Sequence, residues 1–266
     1  ASSPATLESA GISDAEMLIA VTNSDETNMI ACQVAHTLHR TPRKISRVRA
    51  TAYLERQETL FNREHIPIDV IIGPEQLITD SIRQLIINPG ALQVMDFAGG
   101  RVQLVAVRAV HGGPIVGQEL AAIRKHMPKV DTRVAAIFRQ DRAIIPEGDT
   151  VVEADDEVFF IAARQHIRKV MSELRRVDKP YRRVMIAGGG NIGERLAAGI
   201  ENDYSVKLIE NSYARCRELS ERLKHTLVID GSASQPQLLK EESIDAVDVF
   251  CALTNNDESN IMMSML

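Results

Sequence analysis

The sequence predicts an α/β protein in which two doubly wound parallel sheets, both truncated, flank a small α+β subdomain. Three observations carry that prediction. Residues 1–34 align without gaps on residues 233–266, so the chain contains an internal repeat. Within each copy, short apolar runs alternate with segments of helical periodicity, as in a parallel sheet with crossover helices. Between the copies the strands lengthen and are punctuated by Gly and Pro turns.

The repeat is specific. Ile12–Asn28 matches Ile244–Asn260, most closely in Thr-Asn-x-Asp-Glu-x-Asn, and Ser2, Pro4 and Leu7 are echoed by Ser234, Pro236 and Leu239. Copy two extends upstream of its match and copy one downstream, so a complete unit is read as a composite. In order it runs strand 183–187, a helix carrying Ile192, Leu196, Ala197 and Ile200, and strand 206–209. Helix 213–223, strand 226–229, short helix 236–242, strand 249–253 and a helix after Asp257 follow. Copy one adds strand 45–48, a helix around 53–61, strand 70–72 and a long helix from Pro74 to Ile87, Pro74 suiting a first helical turn. The intervening segment reads as strands 92–97, 102–110, 133–139 and 158–163 with helices 118–126 and 165–176. Expected domains are 1–88, 91–178 and 181–266, with Lys179-Pro180 as a linker.

Composition narrows the function. The 266 residues carry 31 Lys+Arg against 36 Asp+Glu, a net charge of −5 that argues against a general nucleic-acid binder. No apolar run approaches the roughly 20 residues that span a bilayer. Cys32, Cys216 and Cys251 are an odd number without metal spacing, which points to a reducing cytoplasm. The start, Ala-Ser-Ser-Pro, lacks a signal peptide and a Met, and the end falls inside an apolar pattern, so a fragment is expected. Truncation would leave unpaired sheet edges, and the two halves are expected to complement each other within or between chains.

Copy two holds the most informative motif. Gly188-Gly189-Gly190-Asn191-Ile192-Gly193 follows a strand and opens a helix. In such a Rossmann-like loop Gly188 permits the tight turn, Gly190 admits a pyrophosphate to the backbone, and Gly193 lets helix and strand pack closely. The helix N-terminus then offers free N–H donors to phosphate. Glu210 ends the next strand, where a carboxylate meets ribose hydroxyls and would repel a 2′-phosphate, favouring NAD over NADP. A degenerate unit keeping its glycines for packing is the bland alternative. Thr254, Asn255 and Asp257 follow the fourth strand at the carboxyl edge, as Thr22, Asn23 and Asp25 do in copy one. Capping of the next helix is the bland alternative; recurrence of three polar residues suggests more than capping, and both readings can hold together.

These residues, with Ala20–Asn28, Thr132–Arg139, Ile144–Asp149 and Asp156–Ala163, resemble the TrkA family. Its members are cytoplasmic regulatory subunits of bacterial potassium uptake with domains of the "regulator of potassium conductance" type. The resemblance covers essentially the whole chain. It implies two Rossmann-like lobes, each followed by a small subdomain. This chain would then lack the first strands of lobe one, the end of lobe two and the last subdomain. It implies that Gly188–Gly193, Glu210 and Gly231 bind NAD(H), with Thr254 and Asn255 nearby, and that ATP or ADP are further candidates. In copy one the matching positions are Thr22, Asn23 and Arg47, whose cation could sit near a phosphate, but the glycine loop is missing there. Ser232 stands where the family usually has an acid, a departure on the adenosine side of the implied site. The implied partners are a membrane-embedded potassium transporter subunit and further copies of the chain. The implied location is the inner face of the membrane, without direct insertion.

Two functions compete. One is a non-catalytic nucleotide sensor that controls a pore; the other is an NAD-dependent dehydrogenase acting on a small alcohol or 2-hydroxy acid. A dehydrogenase needs an oriented proton donor. His111, His126 and His166 have no recognisable catalytic context, and the duplicated lobe favours sensing. The basic run Arg40–Arg49 lacks interleaved aromatics and reads as a solvated loop and strand end rather than a nucleic-acid site. His36 and His39 share a helix face without an apparent third ligand for zinc.

Overall fold

Helix α1 (Pro4–Ser9) opens on a proline in its first turn, where a missing N–H removes no helical bond. The computed structural model describes residues 2–176 and 179–265. It continues with β1 (Met17–Ala20), α2 (Asp25–His39), β2 (Arg43–Arg47), α3 (Thr51–Leu54), α4 (Gln57–Leu60) and β3 (Val70–Ile72). The three strands are parallel in the order β1-β2-β3, with Met17 opposite Arg43 and Ile45 opposite Val70. One helix was expected over 53–61; the chain instead breaks at Arg56, whose φ of −116° and ψ of 21° are not helical. These elements lie in the first of two units, residues 1–78, and the second comprises residues 79–266. Helix α5 (Pro74–Ile87) starts in the first and ends in the second.

The second unit begins with an antiparallel sheet. Strands β4 (Ala91–Phe97) and β5 (Val102–Arg108) precede α6 (Ala122–His126), then β6 (Thr132–Arg139), β7 (Arg142–Ile144), β8 (Glu157–Ala163) and α7 (Ile167–Leu174). The order is β4-β5-β8-β6-β7. Alternation puts Val94, Val105, Val107, Val158 and Phe160 on one face, sealed by Ile167, Val170 and Leu174 of α7. The helix expected over 118–126 is shorter because Leu120 and Ala121 donate their N–H groups to Thr150 and Gly148 instead of to a helical ladder. A buried ion pair closes this module. Arg139 donates from Nε and Nη2 to both oxygens of Asp156, each at 2.8 Å, and Asp156 is fully buried.

Copy two follows as β9 (Arg183–Ala187), α8 (Asn191–Ile200), β10 (Ser205–Glu210), α9 (Tyr213–Arg222), β11 (Leu227–Asp230), α10 (Pro236–Glu241), β12 (Val249–Ala252) and α11 (Asp257–Met265). Its sheet is parallel with order β11-β10-β9-β12. Both faces are covered, so its strands read as near-continuous apolar runs. Val184, Ile186 and Leu208 meet Leu196, Ala197 and Ile200 of α8, with Ile86 of α5 in the same core. Met185, Ala187 and Ile209 meet Leu239 and Met263 on the other face.

The repeat superimposes β1 on β12 residue for residue and α1 on α10. Joined at that shared strand, the two partial sheets give the order 3-2-1-4-5-6 of a doubly wound nucleotide fold. Among the described residues, the expected complementation within the chain does not occur. Strand β9 pairs with β10 and β12 of its own copy, and β1–β3 form a separate sheet among the described residues. The reason is register: β9 needs a parallel neighbour on each side, and its own copy supplies both.

Replacing Asp156 by Asn leaves the Arg139 guanidinium without its buried counter-charge. Arg139 is partly exposed and keeps its ion pair with Glu153, so Asp156→Asn is expected to lower stability by about 2 kcal/mol, read as a shift of the urea midpoint at constant slope.

Candidate functional site

Because β9–β12 are parallel, their carboxyl ends share one edge, and the loops leaving them meet there. The turn after β9 is governed by backbone contact. Gly188 sits at φ 108°, and a Cβ on it would lie 2.7 Å from the carbonyl oxygen of Leu253 at the end of β12. A Cβ on Gly193 would strike the carbonyl oxygen of Gly188, so helix α8 can approach the strand only without a side chain there. Around Gly190 nothing lies within 4 Å of the equivalent position, and that space opens into a cleft. Gly188 and Gly193 thus sit where backbone meets backbone, and Gly190 borders open space.

The cleft has a volume of about 580 Å³ and is bounded by Gly188–Gly190, Glu210, Ser212, Arg215, Gly231–Ser234, Thr254–Asn256 and Met263. At its floor α8 begins. Gly190 occupies the N-cap without a side-chain bond, and the N–H groups of residues 190–193 have no partner among the described residues. Those four donors and the positive end of the helix dipole are what an anion would meet. Glu210 is held between two amides: Oε2 accepts from Gly189 N at 2.8 Å and Oε1 from Ser212 N at 2.9 Å. Each oxygen keeps a second lone pair for another donor.

Glu210, Gly231, Thr254 and Asn255 therefore share the cleft with Gly188, Gly189 and Gly190. Asn191, Ile192 and Gly193 form the first turn of α8 beneath it, and Asp257 is an exposed residue at the start of α11. The hydroxyls of Ser232 and Ser234 bond to each other at 2.7 Å. The capping alternative for the repeated signature resolves onto a residue not singled out. Asn256 accepts from Ser259 N at 2.6 Å, and its counterpart Ser24 from Thr27 N at 3.1 Å. Thr254 instead forms a clamp: its N–H and hydroxyl both donate to Asn260 Oδ1, whose amide returns a bond to the Thr254 carbonyl. Thr22 and Asn28 make the same three bonds in copy one. Asp25 there binds the amides of Arg49 and Ala50, both at 2.8 Å. Arg47, expected near a phosphate, donates to the carbonyl of Thr22 at 2.7 Å, and Asn23 is exposed.

Sequence reasoning missed Arg215. From the first turn of α9 its Nε donates to the Gly189 carbonyl at 2.9 Å, and its other nitrogens bind Glu218 and Glu194. A cation at a helix N-terminus opposes the helix dipole, and that mismatch was the available signal. Glu194, in the first turn of α8, is bound by both Arg215 and Arg222. Burial opposes its ionisation, yet the two guanidinium groups hold its carboxyl below the ordinary value of 4.5. Burial also pushes the Cys251 thiol of β12 up to about 11, leaving it protonated at neutral pH.

A depressed carboxyl stabilises the fold above its unfolded pKa and loses that contribution as pH falls through the folded one. The stability advantage of the wild type over Glu194→Gln should therefore be full at pH 7 and shrink below about 4.5, the ordinary value for this carboxyl. Thermal midpoints of both proteins between neutral and acid pH would show it.

Comparisons with known proteins identify the family. The TrkA-N domain family matches residues 1–74 and 184–266, and the TrkA-C domain family residues 104–175. The "Trk system potassium uptake protein TrkA" of Halomonas elongata is 66% identical over 99% of this chain and 57% of its own length. That of Vibrio alginolyticus is 60% identical over 100% of this chain and 58% of its own length. The chain thus spans a little over half the length of the curated relatives it matches. Among solved structures, the GsuK channel bound to NAD superimposes with a TM-score of 0.67 at 18% identity, covering 99% of this chain and 45% of that one. The GsuK RCK domain does so with a TM-score of 0.66 at 20% identity, over 99% and 55%. The same two lobes and intervening module recur in these folds, and by sequence the chain belongs to the TrkA family.

Proposed function

We propose that this chain is part of a non-catalytic nucleotide sensor that regulates potassium uptake through a membrane-embedded transporter subunit. The carrying observation is the N-terminus of α8, unpaired among the described residues and opening into a cleft that the Glu210 carboxylate also lines. Phosphates fit the amides of residues 190–193, and ribose hydroxyls fit the free lone pairs of Glu210. Glu210 disfavours a 2′-phosphate, so NAD(H) is the first candidate, and ATP or ADP share the same chemistry with fewer contacts. Solved structures of GsuK bound to NAD and to ADP support that choice of class.

Sensing rather than turnover is supported by the histidines. His111, His126 and His166 do not line the cleft, and His126 binds Glu173 at 2.8 Å. No helix among the described residues is long and apolar enough to cross a membrane, in keeping with action through a partner. By family, a cytoplasmic place on the inner membrane face and assembly with further copies belong to the same reading. Regulation then requires that nucleotide bind one arrangement of the assembly more tightly than another.

Calorimetry with NAD, NADH, ATP and ADP tests the input. Gly190→Val puts its Cβ into the open space of the cleft, with no described protein atom within 4 Å of that carbon beyond its chain neighbours. It should weaken nucleotide binding at least tenfold while the thermal midpoint stays nearly unchanged. Unchanged affinity would place the ligand elsewhere, and robust NADH-dependent reduction of small carbonyl substrates would replace sensing by catalysis.

A further inference from the structure

The basic run between His39 and Arg49 is not one solvated stretch. Arg47 and Arg49 bind the carbonyls of Thr22 and Asn23 after β1. The remainder faces the opposite edge of the same sheet, where α2 ends and β2 begins. There His36, Arg40, Thr41, Lys44 and Arg63 line a groove of about 570 Å³, and no carboxylate is among its lining residues.

Its charge is unbalanced. Lys44 is only 2% exposed and is matched by Asp69, Nζ to Oδ2 at 2.9 Å. Burial opposes ionisation of Asp69, yet Lys44 and then Arg63 hold its carboxyl below the ordinary carboxylate range. One acid thus answers three permanent cations. Arg40 and Arg63 are exposed and form no salt bridge among the described residues.

Helix-dipole complementation explains a cation near the last turn of α2, but not Arg63, which comes from a separate loop. Nor does it explain Thr41. This residue is 2% exposed and lines the groove, and its Oγ1 is buried without a hydrogen-bond partner among the described residues. A buried hydroxyl left unpaired is destabilising, so a ligand that accepts its proton would relieve a standing cost. Arg40 adds a backbone argument: it holds the left-handed position that ends α2, φ 53°, where glycine is the easier residue. Its amide and that of Thr41 close the helix on His36 and Ala35, which directs both residues to the groove.

We propose that this groove binds a phosphate group, with Arg40 and Arg63 as the clamping cations and Thr41 as a hydroxyl donor. It lies on the amino-end edge of the β1–β3 sheet, the edge opposite to the one used for nucleotide in copy two. The phosphate has two chemical sources, a soluble phosphate or the headgroup of an anionic lipid, and both use the same residues. The site does not rest on the nucleotide cleft, and either can fail alone.

Amide NMR during titration with inorganic phosphate reads the soluble source. Sedimentation with phosphatidylglycerol vesicles against phosphatidylcholine vesicles reads the headgroup. Saturable shifts at residues 36–44 and 63, or pelleting with the anionic vesicles alone, are expected. Arg40→Glu/Arg63→Glu should weaken either response about tenfold or more, and Arg40→Gln/Arg63→Gln serves if charge reversal disturbs folding. Thr41→Val should raise the thermal midpoint without phosphate and reduce the further rise that phosphate produces. Gly190→Val should leave every one of these responses intact. Absence of both responses, or a response that survives loss of the two arginines, overturns the proposal.

Discussion

Backbone-on-backbone packing between Gly188, Gly193 and Leu253 is the constraint on which the second lobe depends. The end of β9, the start of α8 and the end of β12 approach so closely that side chains at the two glycines would occupy carbonyl positions. Once that contact is made, much of the site follows. Helix α8 must start directly beneath the strand ends with its N–H groups outward. The loop after β12 must lie beside it, and the cleft is the volume left between them.

The polar residues around the cleft then do two things at once. Glu210 binds Gly189 N and Ser212 N, and Arg215 takes the carbonyl of the same Gly189 peptide. The glycine loop is thereby held from β10 and α9 without using the donors that face a ligand. Glu194 illustrates the electrostatic side. An acid in the first turn favours the helix dipole but would repel a phosphate. Arg215 and Arg222 neutralise it, so the dipole remains available to an anion.

Much of this was legible in the sequence because parallel strands buried on both faces leave continuous apolar runs. Val184–Ala187 and Leu208–Ile209 could hardly be read otherwise. The repeat went further, since β1 and β12 share their boundaries and so fix the composite strand order. Features decided by tertiary bonding stayed hidden. Strand β7 is three residues, Arg-Ala-Ile, too short for a periodicity, and residues 118–121 have helical composition but bind residues 148–152. Complementation was the natural expectation from open edges, yet edges alone do not choose a partner; parallel register within each copy does.

The recurring Thr-Asn-x-Asp-Glu-x-Asn signature shows why a motif at a ligand edge need not be a ligand motif. Its first Thr and last Asn spend their hydrogen-bonding groups on each other in both copies. In copy one its Asp fixes the backbone after the next strand. What it conveys to the edge is rigidity: the loop after β12 is clamped, so Asn255 and Asn256 are presented at set positions against the glycine loop. A side chain that merely lined the cleft could vary with the ligand. One that determines where the loop stands would be required in both copies of the repeat. That requirement accounts for a polar signature repeated intact while the residues around it differ.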